Sequence, residues 1–166
     1  MSTRSLRTLI AVLGTAGVTA YAVTLVLQIS VWNPLAAVPG LTLAEIDAQA
    51  AARGETVFTP APWVFAGIGV ALAVGVLILA ILAKGTSTAL VVAAYLAILV
   101  GGAPAYFTAS FGPGMALADA FGIGGGDHAA GGSVLMLVSG AAATALVVWG
   151  VALATTSRAS RPALPA

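Results

Sequence analysis

Apolar and polar residues in this chain are gathered into blocks rather than interleaved. Four long stretches, 9–31, 63–83, 89–109 and 133–154, contain no charged residue, and the segments between and beyond them hold all the charge. The first, Leu9–Val31, covers 23 residues, a length of about 34 Å at the helical rise of about 1.5 Å per residue. The other three are nearly as long and match the roughly 20 apolar residues that cross a hydrocarbon layer of about 30 Å. In hydrocarbon each backbone N–H and C=O needs an internal partner, so an isolated apolar stretch of this length must be helical. The pattern predicts an all-α integral membrane protein: a four-transmembrane-helix bundle with a short helix in each of two extracytoplasmic loops, forming a single membrane domain.

The connections complete that picture. Residues 1–8 and 155–166 are short tails, 84–88 is a tight turn, and 32–62 and 110–132 are the two long loops. The N-terminal stretch has a basic start and an Ala20-Tyr21-Ala22 that fits a signal-peptide cleavage site. Its apolar run continues through Val31, beyond the 7–15 residues of a usual signal core, so it reads as a retained span. In loop one, Thr42-Leu-Ala-Glu45 is a capping box, flanked by Leu41 and Ile46 as a hydrophobic staple and stopped by Gly54. It predicts a helix over 43–53 with Leu43, Ile46 and Ala50 on its apolar face. Loop two opens Phe111-Gly-Pro113-Gly, which predicts a separate short helix over 115–121, and continues into a glycine-rich run around Asp127-His128.

Composition narrows the function classes. Of the 166 residues 60% are hydrophobic and 7% charged, with mean hydropathy +1.09; soluble domains run near 25% charged. Six basic against five acidic residues leave no patch for nucleic acid. Without cysteine there are no disulfides or thiolate metal sites. The charges also sort by sign. Arg4, Arg7, Lys84, Arg158 and Arg161 fall on one side of a four-span topology, while Arg53, all five acids and His128 fall on the other. The positive-inside bias then places both termini in the cytoplasm of a plasma-membrane, multi-pass protein.

No Asp, Glu, Lys, Arg or His lies within a span. Ion-coupled transporters commonly carry such groups at membrane depth, so that class is disfavoured. Among the polar groups that remain, Tyr21, Gln28 and Tyr95, together with Pro104 in the third span, are candidates for helix contacts or for a polar path. Rows of small residues, Gly67/Ala71/Gly75, Ala93/Ala97/Gly101 and Ala141/Ala145, have the spacing that lets helices pack closely.

The loops hold the remaining chemistry. Asp127 and His128 form the one acid–histidine pair, a candidate for metal binding or acid–base work. With no second His or Cys it is a poor transition-metal site, and a solvated loop is the favoured reading; no cofactor is expected. Glu45, Asp47, Glu55 and Asp119 are the candidate partner-facing residues. Gly40-Leu-Thr-Leu-Ala-Glu45 also resembles Gly114-Met-Ala-Leu-Ala-Asp119; a duplicated hairpin would place Glu45 and Asp119 symmetrically. The expected partners are the lipid bilayer and another membrane protein or a second copy. Three readings follow, in order: a non-enzymatic accessory or interaction subunit, a small oligomeric channel or transporter, and an outward-facing site around Asp127-His128.

Overall fold

A computed structural model describes residues 2–83 and 85–159, the side chains of 153, 154 and 156–159 excepted. Among the described residues the secondary structure is entirely helical. Helix α1 (Thr3–Leu27) passes through one π turn (Gln28–Trp32) into α2 (Asn33–Ala37), making one helical run of 35 residues. Then come α3 (Leu43–Ala51), α4 (Ala61–Leu82), α5 (Thr88–Phe121) and α6 (Gly131–Ala159). The α1–α2 run, α4, α5 and α6 are the 4 helices long and apolar enough to cross a membrane. This fits a small multi-pass membrane protein.

Helices α1 and α5 form the centre of the bundle. Helix α4 packs on both, while α6 packs mainly on α5 and touches α1. One apolar cluster joins Ala11 and Val18 to Ala73, Ala80, Val91 and Tyr95; another joins Leu25 and Ile29 to Tyr106, Ala109 and Leu135. Large apolar side chains such as Leu13, Leu72, Leu82 and Leu137 point outward, with 55–73% of their surface exposed. The outer surface of these helices, and not only the core, is therefore apolar.

Helix α3 begins where its capping box sets it. The Glu45 N–H donates to Thr42 Oγ1 at 3.3 Å, and Glu45 Oε2 accepts from the Thr42 N–H at 2.7 Å. Ile46 and Ala50 are wholly buried against Ala116, Leu117 and Ala120 of α5, with Val57 closing the cluster and Leu41 packed against it. Leu43, expected on the same face, is only partly buried.

The segment 115–121 is not a separate helix. Helix α5 runs unbroken through Pro104 and Pro113 to Phe121 and stops at Gly122, whose φ of 67° gives a left-handed cap. A helix-interior proline costs about 3 kcal/mol. Here the turns beyond Pro113 bury Ala116, Leu117 and Ala120 under α3, and full burial of one Leu alone returns about 1.5–3 kcal/mol. Helix α6 likewise continues to Ala159, past the expected end of the span at 154. The remainder of the expected tail, with Arg161, and Lys84 in the turn lie outside the described residues.

Apart from the partly buried Ala93, the small-residue rows lie on open faces. Gly67, Gly75 and Gly101 have open space where a side chain would stand, and Ala71, Ala97, Ala141 and Ala145 are exposed. Close approach occurs at Gly14 and Gly102 instead, which receive the rings of Tyr95 and Tyr21. The proposed repeat also divides: Gly40 lies in a turn before α3, whereas Gly114 is buried inside α5. Glu45 and Asp119 thus occupy unlike elements.

Candidate functional site

Polar side chains inside the bundle tie the helices together at three levels. At the first, Tyr95 Oη lies 2.8 Å from Thr15 Oγ1 and donates to the Ala73 carbonyl at 3.1 Å, joining α1, α4 and α5. At the second, Tyr21 Oη lies 3.0 Å from Ser139 Oγ, which donates to the Leu99 carbonyl at 2.7 Å, joining α1, α6 and α5. The acceptor carbonyls belong to the helix backbones, so these bonds hold neighbouring helices in register.

The third level lies at the α3 end and gathers most of the residues singled out from the sequence. Gln28 is wholly buried, and its Nε2 donates to the Ala129 carbonyl at 3.1 Å. Asn33 Oδ1 accepts from the adjacent residue, the His128 backbone N–H, at 2.6 Å. Tyr106 Oη donates to Asp127 Oδ1 at 2.5 Å. Three side chains from the α1–α2 run and α5 thus clasp three consecutive residues, Asp127, His128 and Ala129, just before α6 begins.

The π turn makes the clasp possible. Gln28 and Asn33 are five residues apart, which in an α-helix of about 3.6 residues per turn would set them about 140° apart. Here the Asn33 N–H bonds the Gln28 carbonyl, the five-residue step of a π turn. Both side chains then reach the same strip of backbone. Gly132 completes the fit, because a β-carbon there would strike the Asp127 carboxylate and the Tyr106 hydroxyl. The carboxylate also stands beside the first turn of α6, where the helix dipole favours negative charge.

Asp127 and His128 therefore have structural partners. The Asp127 carboxylate accepts from Tyr106, and His128 Nε2 lies 2.9 Å from the Gly124 carbonyl within its own loop. No group of three or more His, Cys, Asp or Glu side chains suited to a metal ion occurs among the described residues.

The candidate path residues do not share one channel. Tyr21 and Pro104 border a groove of about 560 Å³ between α1, α4 and α5, lined mostly by apolar side chains and open along exposed Ile68 and Leu72. Gln28 and Tyr95 lie outside it and are engaged with backbone carbonyls.

Of the candidate partner-facing acids, Glu45, Asp47 and Asp119 are exposed, while Glu55 is partly buried. Glu45 is turned back on its own cap. The Thr42 backbone N–H, and after it the Thr42 hydroxyl, hold its carboxyl below the usual carboxylate range. Arg53 lies over the Phe121 ring at 5.3 Å and links the C-terminal ends of α3 and α5. Sequence reasoning missed Asn33, Tyr106 and Ser139. Their signal was a polar group at a bundle-facing position, legible only once the π turn and the helix partners were known. The chain matches no family model, no curated protein and no solved structure.

Proposed function

We propose that this chain is a non-enzymatic accessory or interaction subunit of a membrane assembly, with its α3-bearing end facing outward and both termini in the cytoplasm. One observation supports this most directly: the span polar groups Tyr95, Ser139 and Gln28 each donate to a backbone carbonyl of another segment, with Gln28 Oε1 left buried and without a partner. Groups used in this way hold a scaffold together rather than line a route for a solute. The α3 end is an ordered cap with Asp47 and Asp119 exposed, a shaped acidic surface for a partner's basic or hydrogen-bonding groups. Orientation follows from the charge, with five of the six basic residues on the side of the termini and all five acids opposite.

Gentle purification of the full chain in mild detergent tests the reading. A stoichiometric companion is expected, and the double variant D47K/D119K is expected to release it without changing helicity. A monomer free of any companion, or a companion indifferent to that charge reversal, would overturn it.

A further inference from the structure

The end of the bundle opposite α3 carries a second polar feature. A cavity of about 550 Å³ lies between the first turns of α1 and the α4–α5 connection, lined by Thr3, Arg4, Arg7, Leu82, Thr86 and Ser87 among others. Arg4 and Arg7 are three residues apart on α1, and that spacing puts both guanidinium groups on one helix face. Arg7 Nη1 donates to the Thr86 carbonyl at 2.7 Å, which fixes the guanidinium across the cavity, while its Nε is buried with no partner. Arg4 is exposed.

Among the described residues no carboxylate side chain balances these charges. All five acids lie at positions 45–55 and 119–127, at the α3 end. The 22 residues of α4 separate the two ends, a distance of about 33 Å and far beyond the roughly 4 Å reach of an ion pair. The arginines, one held by Thr86 and the other exposed, therefore form a positive site with no internal counter-ion among the described residues.

We propose that this cavity binds a phosphate-bearing anion, the headgroup of an acidic phospholipid being the source its walls fit best. Guanidinium groups present planar N–H donors that match phosphate oxygens and hold them by charge-assisted bonds. The Ser87 hydroxyl accepts from the Leu90 N–H at 3.1 Å, which leaves its own proton for an anion. Ile81 and Leu82 form the neighbouring wall, and Leu82 is 72% exposed, an apolar surface along which an acyl chain can lie. Free phosphate offers the same anion without that chain. The site is independent of the outward-face reading, because it lies at the other end of the bundle.

The test uses the full chain in neutral detergent, titrated with phosphatidylglycerol, phosphatidylcholine or inorganic phosphate while the thermal midpoint is followed. Phosphatidylglycerol is expected to raise the midpoint and phosphatidylcholine to leave it unchanged. Loss of one charged hydrogen bond in R4Q should weaken the apparent affinity about tenfold. R7Q should weaken it at least as much, and R53Q, at the far end, should not change it. An equal response to inorganic phosphate assigns the site to free phosphate. Equal responses to the two lipids, or a response that R4Q leaves intact, overturn the proposal; R4Q removes only an exposed side chain, so folding does not cloud its result.

Discussion

The two ends of this bundle are built on different principles. At the α3 end, Gln28, Asn33 and Tyr106 reach across about 100 residues, or about 20 for Tyr106, to clasp the backbone and carboxylate of residues 127–129. Beneath them Ile46, Val57 and Leu117 form an apolar cluster of their own. At the other end the helices finish in local caps, Ser2 on Ser5 and Ser87 on Leu90. There Arg7 ties α1 to the α4–α5 connection through the Thr86 carbonyl. The same apolar helices thus serve two ends, one closed by long-range contacts and the other carrying positive charge with no carboxylate partner among the described residues. Order at a bundle end comes from what the loops bring back to it, not from the spans.

Three substitutions can break or sharpen that contrast. The largest effect is expected from Ile46→Ala, which empties a wholly buried site; such changes cost about 2–5 kcal/mol. If the cap is a distinct unit, hydrogen exchange should quicken over 38–60 and at the end of α5 while mid-bundle amides keep their protection. Uniform loss of protection would show instead that the two ends are one cooperative structure. Next is Tyr106→Phe, which removes the hydroxyl held by Asp127. A cost of about 1.5 kcal/mol is expected, read as a lowered denaturation midpoint. Asp127 is exposed enough to recover water, which keeps the effect at the low end for a charged bond.

The smallest is Thr42→Ala, with a loss of about 1 kcal/mol from the α3 cap. It also carries a pH signature. The Thr42 N–H and hydroxyl depress the Glu45 carboxyl below its unfolded value of 4.5. That contribution is therefore complete above the unfolded value and lost as pH falls through the lower folded one. Removing the hydroxyl should shrink the acid-induced fraying of α3 seen by NMR, and the backbone bond should preserve part of it. Acid fraying of equal size in both proteins would remove Glu45 from the account.

The sequence made the four apolar helices legible because their hydrophobic blocks exceed the length needed to cross a membrane and contain no charge. Thr42 and Glu45 also announced α3, since a capping box acts between neighbours. What lay hidden was non-local. Pro113 reads as a break until Leu117 is known to be buried beneath Ile46. Gln28 was visible as a polar residue within a span, but its partner at Ala129 is 101 residues away. The small-residue rows misled for the same reason: spacing shows which residues share a face, not which face meets a neighbour. Asp127 and His128 looked like chemistry because the sequence could not reveal Tyr106 and Asn33 as their partners.

The π turn at Gln28–Trp32 gives the chain a rotational phase as well as a shape. By absorbing one extra residue it turns everything after it by about 100° relative to an unbroken α-helix. The number of residues between Gln28 and Asn33 is therefore a stricter specification than their identities. When related chains are aligned through this region, a gap of a single position would mark a change in which side of the helix faces the clasp, even where each flanking residue is the same.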